Sequence, residues 1–184
     1  MKNNFIAIIP ARGGSKGLPK KNILNFYNKP LIYWSIEFAK KAKIFSRCIV
    51  SSDCPEIIAV SKNCGAEVPF IRDKKLASDN ATANSVIFDV LDKCDISDDA
   101  FFVLLEPTSP YRRIKYIKKI ESLVSNNKAE LILSMFPANS SSYKYQYNLD
   151  QNNKLVSLKF NNELEKPLRR QDVDKTFYSD GCFY

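Results

Sequence analysis

Short apolar runs alternate along the chain with longer segments in which apolar residues recur at helical spacing. An unbroken apolar run of five residues or more is typical of a strand that is buried on both faces of a parallel sheet. The runs predicted as strands are 5–9, 47–53, 100–105 and 130–135. Between the first two, residues 29–40 place their apolar side chains on one stripe, with Pro30 in the first turn, which predicts an amphipathic helix.

Three further segments carry helix signals. Pro55 opens one that ends near Gly65, a plausible C-cap, and Ser78 or Asp79 is a good N-cap for a second at 81–94. The third is predicted at 114–125. Strands that alternate with helices predict an α/β fold with a doubly wound, mainly parallel sheet, whose ligands bind beyond the carboxyl ends of the strands.

The pattern changes near residue 140. Alternating residues at 143–148 and 154–159 flank a turn rich in Asp and Asn, which predicts a β-hairpin. We therefore expect one domain formed by 1–139 and 166–184, with an appended hairpin at 140–165. Its aromatic side chains favour contact with another subunit, although a hairpin packed on its own sheet explains them too.

The loop after the first strand carries the most informative chemistry. It combines three glycines with Ser15 and with four cations, which are Arg12, Lys16, Lys20 and Lys21. Glycines let backbone N–H groups converge on one point, and mobile cations neutralise phosphate oxygens, so the loop suits a polyanion. It matches neither G-x-x-x-x-G-K-[ST] nor G-x-G-x-x-G, and a solvated basic turn is the alternative.

Composition narrows the class of protein without identifying it. With 184 residues, of which 45% are hydrophobic and 26% charged, the chain is long enough for one globular domain. A net charge of +8 suits nucleic acid or a small anionic substrate, and the scattered cations favour the second.

The chain has no histidine, which excludes His-based catalysis, and its five cysteines form no C-x-x-C pair, so we expect reduced thiols. Its apolar runs are too short for a membrane span or a signal peptide, and we expect a cytoplasmic protein.

Residues 9–17, Ile-Pro-Ala-Arg-Gly-Gly-Ser-Lys-Gly, followed by Lys21-Asn22, resemble the opening signature of the CMP-sialic acid synthetases, or acylneuraminate cytidylyltransferases. An arginine ahead of Leu-Ala-Ser-Asp at 76–79 resembles a second signature of the family. Residues 104–112 resemble a third, Leu-Leu-Gln-Pro-Thr-Ser-Pro-Leu-Arg, and 167–184 resemble its Arg-Gln stretch and following strand. The resemblance covers nearly the whole chain and implies a nucleotide-diphospho-sugar transferase-like fold.

The resemblance also implies a reaction and a set of site residues. CTP and a nine-carbon sugar acid would give a CMP-sugar and pyrophosphate, with Lys21 and Arg12 as the catalytic residues. The residues expected to bind the nucleotide are Arg12, Gly13, Ser15, Lys21, Asn22, Arg72, Ser78 and Glu106. Those expected at the sugar are Thr108, Ser109 and Arg170. For Ser78, a purely structural helix cap is an equally good interpretation.

Two positions depart from the family pattern. Glu106 replaces the family glutamine and lacks the donor of an amide, and Asp180 replaces an asparagine. The resemblance further implies Mg²⁺ as cofactor, but the family's paired aspartates fall beyond Tyr184, so the metal ligands stay unassigned. Without them we expect residues 1–184 to bind CTP but to turn over slowly. The resemblance also implies a homodimer in which the hairpin of one subunit reaches the other.

Two other functions remain open at this point. One is a neighbouring enzyme, such as a 3-deoxy-manno-octulosonate cytidylyltransferase or another sugar nucleotidyltransferase, since that synthetase shares the first half of the opening motif. The other is a non-catalytic module that binds nucleotide or RNA, which the net charge of +8 favours. It would show polynucleotide affinity that falls steeply with salt.

Overall fold

The computed structural model describes residues 4–15, 17–127, 131–137, 147–152, 155–157, 177–179 and 182–183. The chain divides into two compact units, residues 1–133 with 181–184 and residues 134–180. The first unit contains the segments that carry the phosphate-binding signals. The predicted domain boundaries and the role of the hairpin stay predictions.

The larger unit is built on three parallel strands. These are β1 (Phe5–Pro10), β4 (Phe45–Ser51) and β5 (Phe101–Leu104), in the order β4-β1-β5. Two short strands, β2 (Asn25–Phe26) and β3 (Lys29–Pro30), form a separate antiparallel pair between β1 and the first helix. The helices are α1 (Leu31–Ala42), α2 (Pro55–Asn63), α3 (Ala83–Lys93) and α4 (Ile114–Asn127).

The side chains of β1 alternate between two cores. Phe5, Ala7 and Ile9 pack with apolar residues of α1, α2 and α4, whereas Ile6 and Ile8 pack with those of α3. Helices therefore cover both faces of the sheet, as a strand buried on both faces requires. The structure confirms the predicted doubly wound α/β class.

Several predicted boundaries agree with the structure. Pro30 directly precedes α1, and Gly65 follows α2 with φ of 86°, the left-handed conformation that suits a C-cap glycine. The prediction for α3 was wrong in detail. This helix begins at Ala83, and its N-cap is Thr82, whose hydroxyl accepts from the backbone N–H of Ser85 at 3.1 Å.

The strand predicted at 130–135 is also placed differently. Residues 131–134 have no regular secondary structure, and β6 covers Met135–Pro137. It pairs antiparallel with β9 (Phe177–Ser179) in the smaller unit. An apolar run forms a strand only where a neighbour accepts its backbone hydrogen bonds, and a run of residues does not reveal that neighbour.

In the smaller unit, β7 (Tyr147–Leu149) pairs antiparallel with β8 (Leu155–Ser157), in the register Asn148 to Val156. An antiparallel pair thus lies where the sequence predicts the hairpin.

The five cysteines are thiols, as expected, and burial raises the pKa of the Cys48 thiol to about 12. None of the helices in the described part of the chain is long and apolar enough to cross a bilayer.

Candidate active site

A cleft of about 300 Å³ lies at the carboxyl ends of the three parallel strands. This is the edge at which ligands bind in open α/β sheets, and the volume is at the lower end for ligand pockets. Eight of the eleven predicted site residues line it: Arg12, Ser15, Lys21, Asn22, Arg72, Ser78, Glu106 and Thr108. The structure brings these side chains together, while the roles assigned to them stay predictions.

The phosphate loop (residues 11–22) is attached to the end of β4. The backbone N–H of Gly13 donates to Oδ1 of Asp53 at 2.8 Å. A Cβ atom on Gly13 would lie 2.8 Å from Cβ of Cys54, so a larger residue would push the loop away from β4. Gly13 itself does not line the cleft, whereas its neighbour Gly14 does. Gly13 is therefore closely packed against Cys54, and its predicted role in nucleotide binding stays a prediction.

Arg12 crosses the entrance of the cleft. Its Nη2 lies 2.9 Å from Oδ1 of Asp79, and its Nη1 donates to the carbonyl of Ala77 at 3.2 Å. The Arg12 side chain is 35% exposed, so its charge remains accessible from the cleft. Asn22 is buried and donates from Nδ2 to the carbonyl of Arg12 at 3.0 Å. The Asn22 side chain thus fixes the position of the Arg12 backbone carbonyl.

Two lysines at the end of the phosphate loop have different surroundings. Lys20 adopts a left-handed conformation, with φ of 52°, and its Nζ lies 2.6 Å from Oε1 of Glu56 in the first turn of α2. This hydrogen bond raises the pKa of Lys20 and lowers that of Glu56. Lys21 lines the cleft and makes no ion pair within the described ranges of the chain. Lys21 therefore offers positive charge to a ligand, whereas Lys20 fastens the loop.

Arg72 is buried behind the cleft. Its Nε donates to Ser51 Oγ at 2.9 Å, its Nη2 donates to the Ser51 carbonyl, and its backbone N–H donates to the Ser52 carbonyl at 2.8 Å. Burial lowers its pKa, and the charge of Asp53 opposes that shift. An arginine pKa starts so high that the side chain stays charged at neutral pH. Arg72 holds the end of β4 and also brings positive charge to the cleft wall.

The N-terminus of α3 opens onto the cleft. Ala81, the N-cap Thr82 and Ala83 all line it. The first N–H groups of a helix have no partner within the helix and favour an anion nearby. Ser78, predicted as a cap of this helix, instead donates from Oγ to the carbonyl of Lys75 at 2.7 Å, at the end of a short 3-10 turn.

On the opposite side, the Glu106 loop (residues 105–109) follows β5. The Glu106 side chain lines the cleft, and the Thr108 hydroxyl donates to its Oε2 at 3.4 Å. Ser109 lies outside the lining, and its backbone N–H donates to the carbonyl of Glu106 at 3.2 Å. Of the two hydroxyl residues predicted at the sugar, the structure places only Thr108 on the cleft.

Some of the earlier assignments lie outside the described residues. They are Lys16, Arg170 and Asp180. Within the described ranges, no group of three His, Cys, Asp or Glu side chains could hold a metal ion. The carboxylates beside the cleft already have partners, since Asp53 accepts from Gly13 and Asp79 pairs with Arg12. These residues do not by themselves fit a magnesium site.

Sequence reasoning missed the residues that shape the cleft from behind. Asp53, at the end of the strand predicted at 47–53, was expected near the site but without a structural role, and Ser51, Thr82 and Arg112 were given no role. Their contacts join segments separated by up to 77 residues, such as Arg112 with Ser35. Local patterns carry no signal of such pairs.

Comparison with known proteins agrees with this geometry. The cytidylyltransferase family matches residues 6–183. The pseudaminic acid cytidylyltransferase of Campylobacter jejuni is 35% identical over 188 aligned positions, which span 100% of this chain and 78% of that protein. The N-acylneuraminate cytidylyltransferase of Escherichia coli is 36% identical over 143 positions, or 77% of this chain and 33% of that protein.

A solved structure shares the fold at low sequence identity. It is a CMP:2-keto-3-deoxy-manno-octonic acid synthetase complexed with CTP, with a TM-score of 0.70 and 16% identity over 98% of this chain and 73% of that one. This similarity confirms the nucleotidyltransferase fold. The match over residues 6–183 and the 35% identity to the Campylobacter jejuni protein establish that the chain belongs to the cytidylyltransferase family.

Proposed function

We propose that this protein transfers CMP from CTP to a nonulosonic acid and releases pyrophosphate, with an acid of the pseudaminic type as its acceptor. The observation that carries the reaction is the single cleft in which cations, the N-terminus of a helix and the Glu106 loop converge. The choice of acid is supported by the Campylobacter jejuni relative, whose alignment spans the whole chain. Sialic and legionaminic acids are the alternatives to be tested.

In this reaction the anomeric hydroxyl of the sugar acid attacks the α-phosphorus of CTP in line. The bond from that phosphorus to the bridging oxygen breaks, pyrophosphate leaves with its electron pair, and the hydroxyl proton passes to solvent. A protein accelerates such a displacement mainly by positioning the reactants and neutralising charge. Arg12 and Lys21 supply that charge at the phosphate loop, and α3 adds the positive end of its dipole.

The nucleoside would lie against the Glu106 loop. A carboxylate at Glu106 accepts a hydrogen bond from the exocyclic amine of cytosine and cannot donate to the carbonyl that uracil presents in its place. This preference for an amine would favour CTP over UTP. Thr108, whose hydroxyl donates to Glu106, is the residue that we propose for contact with the sugar.

We also propose that Mg²⁺ accompanies the triphosphate. The described residues do not form a dedicated site for it, and magnesium is commonly held by substrate phosphates with one or two carboxylates and several waters. When bound, the ion neutralises phosphate charge. The affinity for CTP, measured by calorimetry with magnesium and with a chelator, tests this role without requiring turnover.

A homodimer remains part of the proposal. In the smaller unit, Phe136 of β6 and Tyr178 of β9 lie in ring contact at 6.1 Å, yet they are 52% and 50% exposed. Exposed aromatic pairs of this kind suit burial against another subunit. Analytical ultracentrifugation of the parent protein and of a Phe136→Ser, Tyr178→Ser variant should show a dimer that the substitutions weaken.

The reaction is tested by pyrophosphate release. The protein is incubated with CTP, UTP or ATP in the presence of pseudaminic, sialic, legionaminic or 3-deoxy-manno-octulosonic acid. We expect release only with CTP, fastest with pseudaminic acid. Release with 3-deoxy-manno-octulosonic acid alone would support the neighbouring enzyme class. No release with any pair, together with polynucleotide affinity that falls with salt, would favour a nucleic-acid-binding module.

CTP as substrate also leads us to propose a cytoplasmic location.

A further inference from the structure

The guanidinium of Arg112 joins three segments that are distant in sequence. Its Nη2 donates to the carbonyl of Glu106 at 2.7 Å, its Nη1 to Ser35 Oγ at 3.0 Å and its Nε to the carbonyl of Cys182 at 2.7 Å. The same group lies over the ring of Phe183, with Cζ 5.9 Å from the centroid. Arg112 therefore links the Glu106 loop to α1 and to residues 182–183.

The carbonyl of Glu106 is the focus of these contacts. Besides Arg112, it accepts from the Ser35 hydroxyl at 3.3 Å and from the backbone N–H of Ser109 at 3.2 Å. Ser35 is fully buried in α1, so its hydroxyl is a fixed donor. Three donors, two from the segment that follows Glu106 and one from α1, define the peptide plane that follows Glu106. That plane sets the direction in which the Glu106 side chain leaves the backbone toward the cleft.

Arginine is suited to this task by its shape. Its planar guanidinium carries five N–H donors in a fixed fork, which here reaches acceptors on three sides. Lysine keeps the charge but concentrates its donors at one atom. Glutamine keeps a planar end but has two donors and no charge. Neither replacement reproduces the three bonds.

We propose that Arg112 is a positioning residue that sets base selectivity: by fixing the Glu106 carbonyl, it holds the Glu106 side chain where it reads the amine of cytosine. This inference rests on the proposed function of the cleft, because it assumes that Glu106 faces the base. Arg112 does not line the cleft. Its effect on the nucleotide would pass through the Glu106 loop.

Arg47 provides a matched control elsewhere in the same unit. Its Nε and Nη2 donate to Oε2 of Glu67 at 3.0 and 2.8 Å, and its Nη1 donates to the carbonyl of Cys94 at 3.3 Å. It therefore makes three side-chain hydrogen bonds to described residues, as Arg112 does, and it does not line the cleft. Arg47→Gln should reduce stability without changing how nucleotides are discriminated.

The experiment compares Arg112→Gln, Arg112→Lys, Ser35→Ala and Arg47→Gln with the parent protein. Thermal unfolding, kcat and KM for CTP and UTP, and calorimetric affinities for both nucleotides are measured. For Arg112→Gln we expect kcat/KM for CTP to fall on the order of 10²-fold, the scale for a misplaced contact group, and the CTP:UTP ratio to fall by about tenfold. Ser35→Ala should show a smaller change in the same direction, and Arg112→Lys should not restore the ratio.

A CTP:UTP ratio that stays at the parent value in folded Arg112 variants would overturn the inference. Full recovery of the ratio in Arg112→Lys would also overturn it, because the charge of Arg112 and not its shape would then be decisive. If Arg112→Gln fails to fold, Arg112→Lys and Ser35→Ala carry the test. A parent protein that binds CTP but releases no pyrophosphate would contradict the proposed function, while the ratio of affinities would still test Arg112. A parent protein that binds neither nucleotide would overturn both.

Discussion

The phosphate loop and the Glu106 loop face each other across the cleft and are held by different kinds of contact. The phosphate loop is fastened at its edges, by the Gly13 to Asp53 hydrogen bond and by the exposed ion pair of Lys20 with Glu56. The Glu106 loop is fastened at its centre, where three donors meet on one carbonyl. Substitutions in the phosphate loop should therefore act mainly by changing the charge of the cleft. Substitutions of residues that support the Glu106 loop should act by changing the position of the Glu106 side chain.

This difference fits the two tasks that we propose for the cleft. A triphosphate gains and redistributes charge as the reaction proceeds, so cations on a loop with adjustable side chains can follow it. A base is distinguished by the position of a few donors and acceptors, which requires a fixed frame. The predictions below test that division, beginning with the largest expected effect.

Lys21→Ala should have the largest effect. Lys21 lines the cleft and makes no ion pair within the described ranges, and we propose that its charge acts on the triphosphate. Loss of one preorganised charge donor lowers kcat by about 10²-fold or more, with a smaller effect on CTP affinity. Steady-state pyrophosphate release measures both. Lys20→Ala is the matched control, because Lys20 pairs with Glu56, and a kcat for Lys21→Ala within about threefold of the parent would exclude this role.

Gly13→Ala should have the next largest effect. The added Cβ would lie 2.8 Å from Cβ of Cys54, and one of the two backbones must move. Overpacking of this kind destabilises a protein by about 1–3 kcal/mol, and here it also displaces the phosphate loop. Urea unfolding and CTP affinity should therefore both worsen. Gly14→Ala is the control for the unfolding measurement, since a Cβ at Gly14 has no atom within 4 Å, and an equal loss of stability in the two variants would contradict the packing argument.

Glu106→Gln tests the opposite loop with a smaller change. An amide keeps an acceptor for the cytosine amine and adds a donor that can meet the carbonyl of uracil, so CTP binding should hold while the preference for CTP over UTP falls by a few-fold. Competition binding with the two nucleotides measures the ratio. Loss of CTP binding altogether would mean that Glu106 holds a metal or a structural partner, and the base would then have to be placed elsewhere in the cleft.

The same contrast explains what the sequence could predict. The phosphate loop was visible because its glycines, Ser15 and cations are consecutive and follow an apolar strand, and the parallel fold then placed them at the correct edge of the sheet. The family resemblance supplied Arg72 and Glu106. The support for the Glu106 loop was not visible, because Ser35, Arg112 and Cys182 are brought together only by packing.

Two errors have the same origin. The N-cap of α3 was assigned to Ser78 or Asp79, since both are good capping residues, but the structure uses Ser78 in a 3-10 turn and Asp79 as the partner of Arg12. Thr82 then caps the helix. The strand predicted at 130–135 was judged on its apolar run alone. In both cases a tertiary contact decided between local options of similar quality.

The smallest expected effect concerns the ion pair of Lys20 with Glu56 at the edge of the phosphate loop. The hydrogen bond from Lys20 lowers the pKa of Glu56 from its ordinary value of 4.5 and raises that of Lys20 from 10.5. A lowered carboxylate pKa means that its contribution to stability is present above pH 4.5 and is lost as pH falls through the lower, folded value. A raised lysine pKa means the reverse, so that contribution is lost as pH rises beyond 10.5. Both side chains are more than half exposed, and salt screens such a pair. We therefore expect a small difference in melting temperature between the parent and Glu56→Gln at neutral pH and low salt, which shrinks below pH 4.5 and in high salt.

Lys41→Gln is a suitable reference, since Lys41 pairs with Glu37 at 3.0 Å within α1 and does not line the cleft. Both substitutions should change stability by similar small amounts, while only Glu56→Gln should weaken CTP binding. Equal CTP binding by Glu56→Gln would mean that the remaining contacts, such as the hydrogen bond from Gly13 to Asp53, hold the loop without this ion pair.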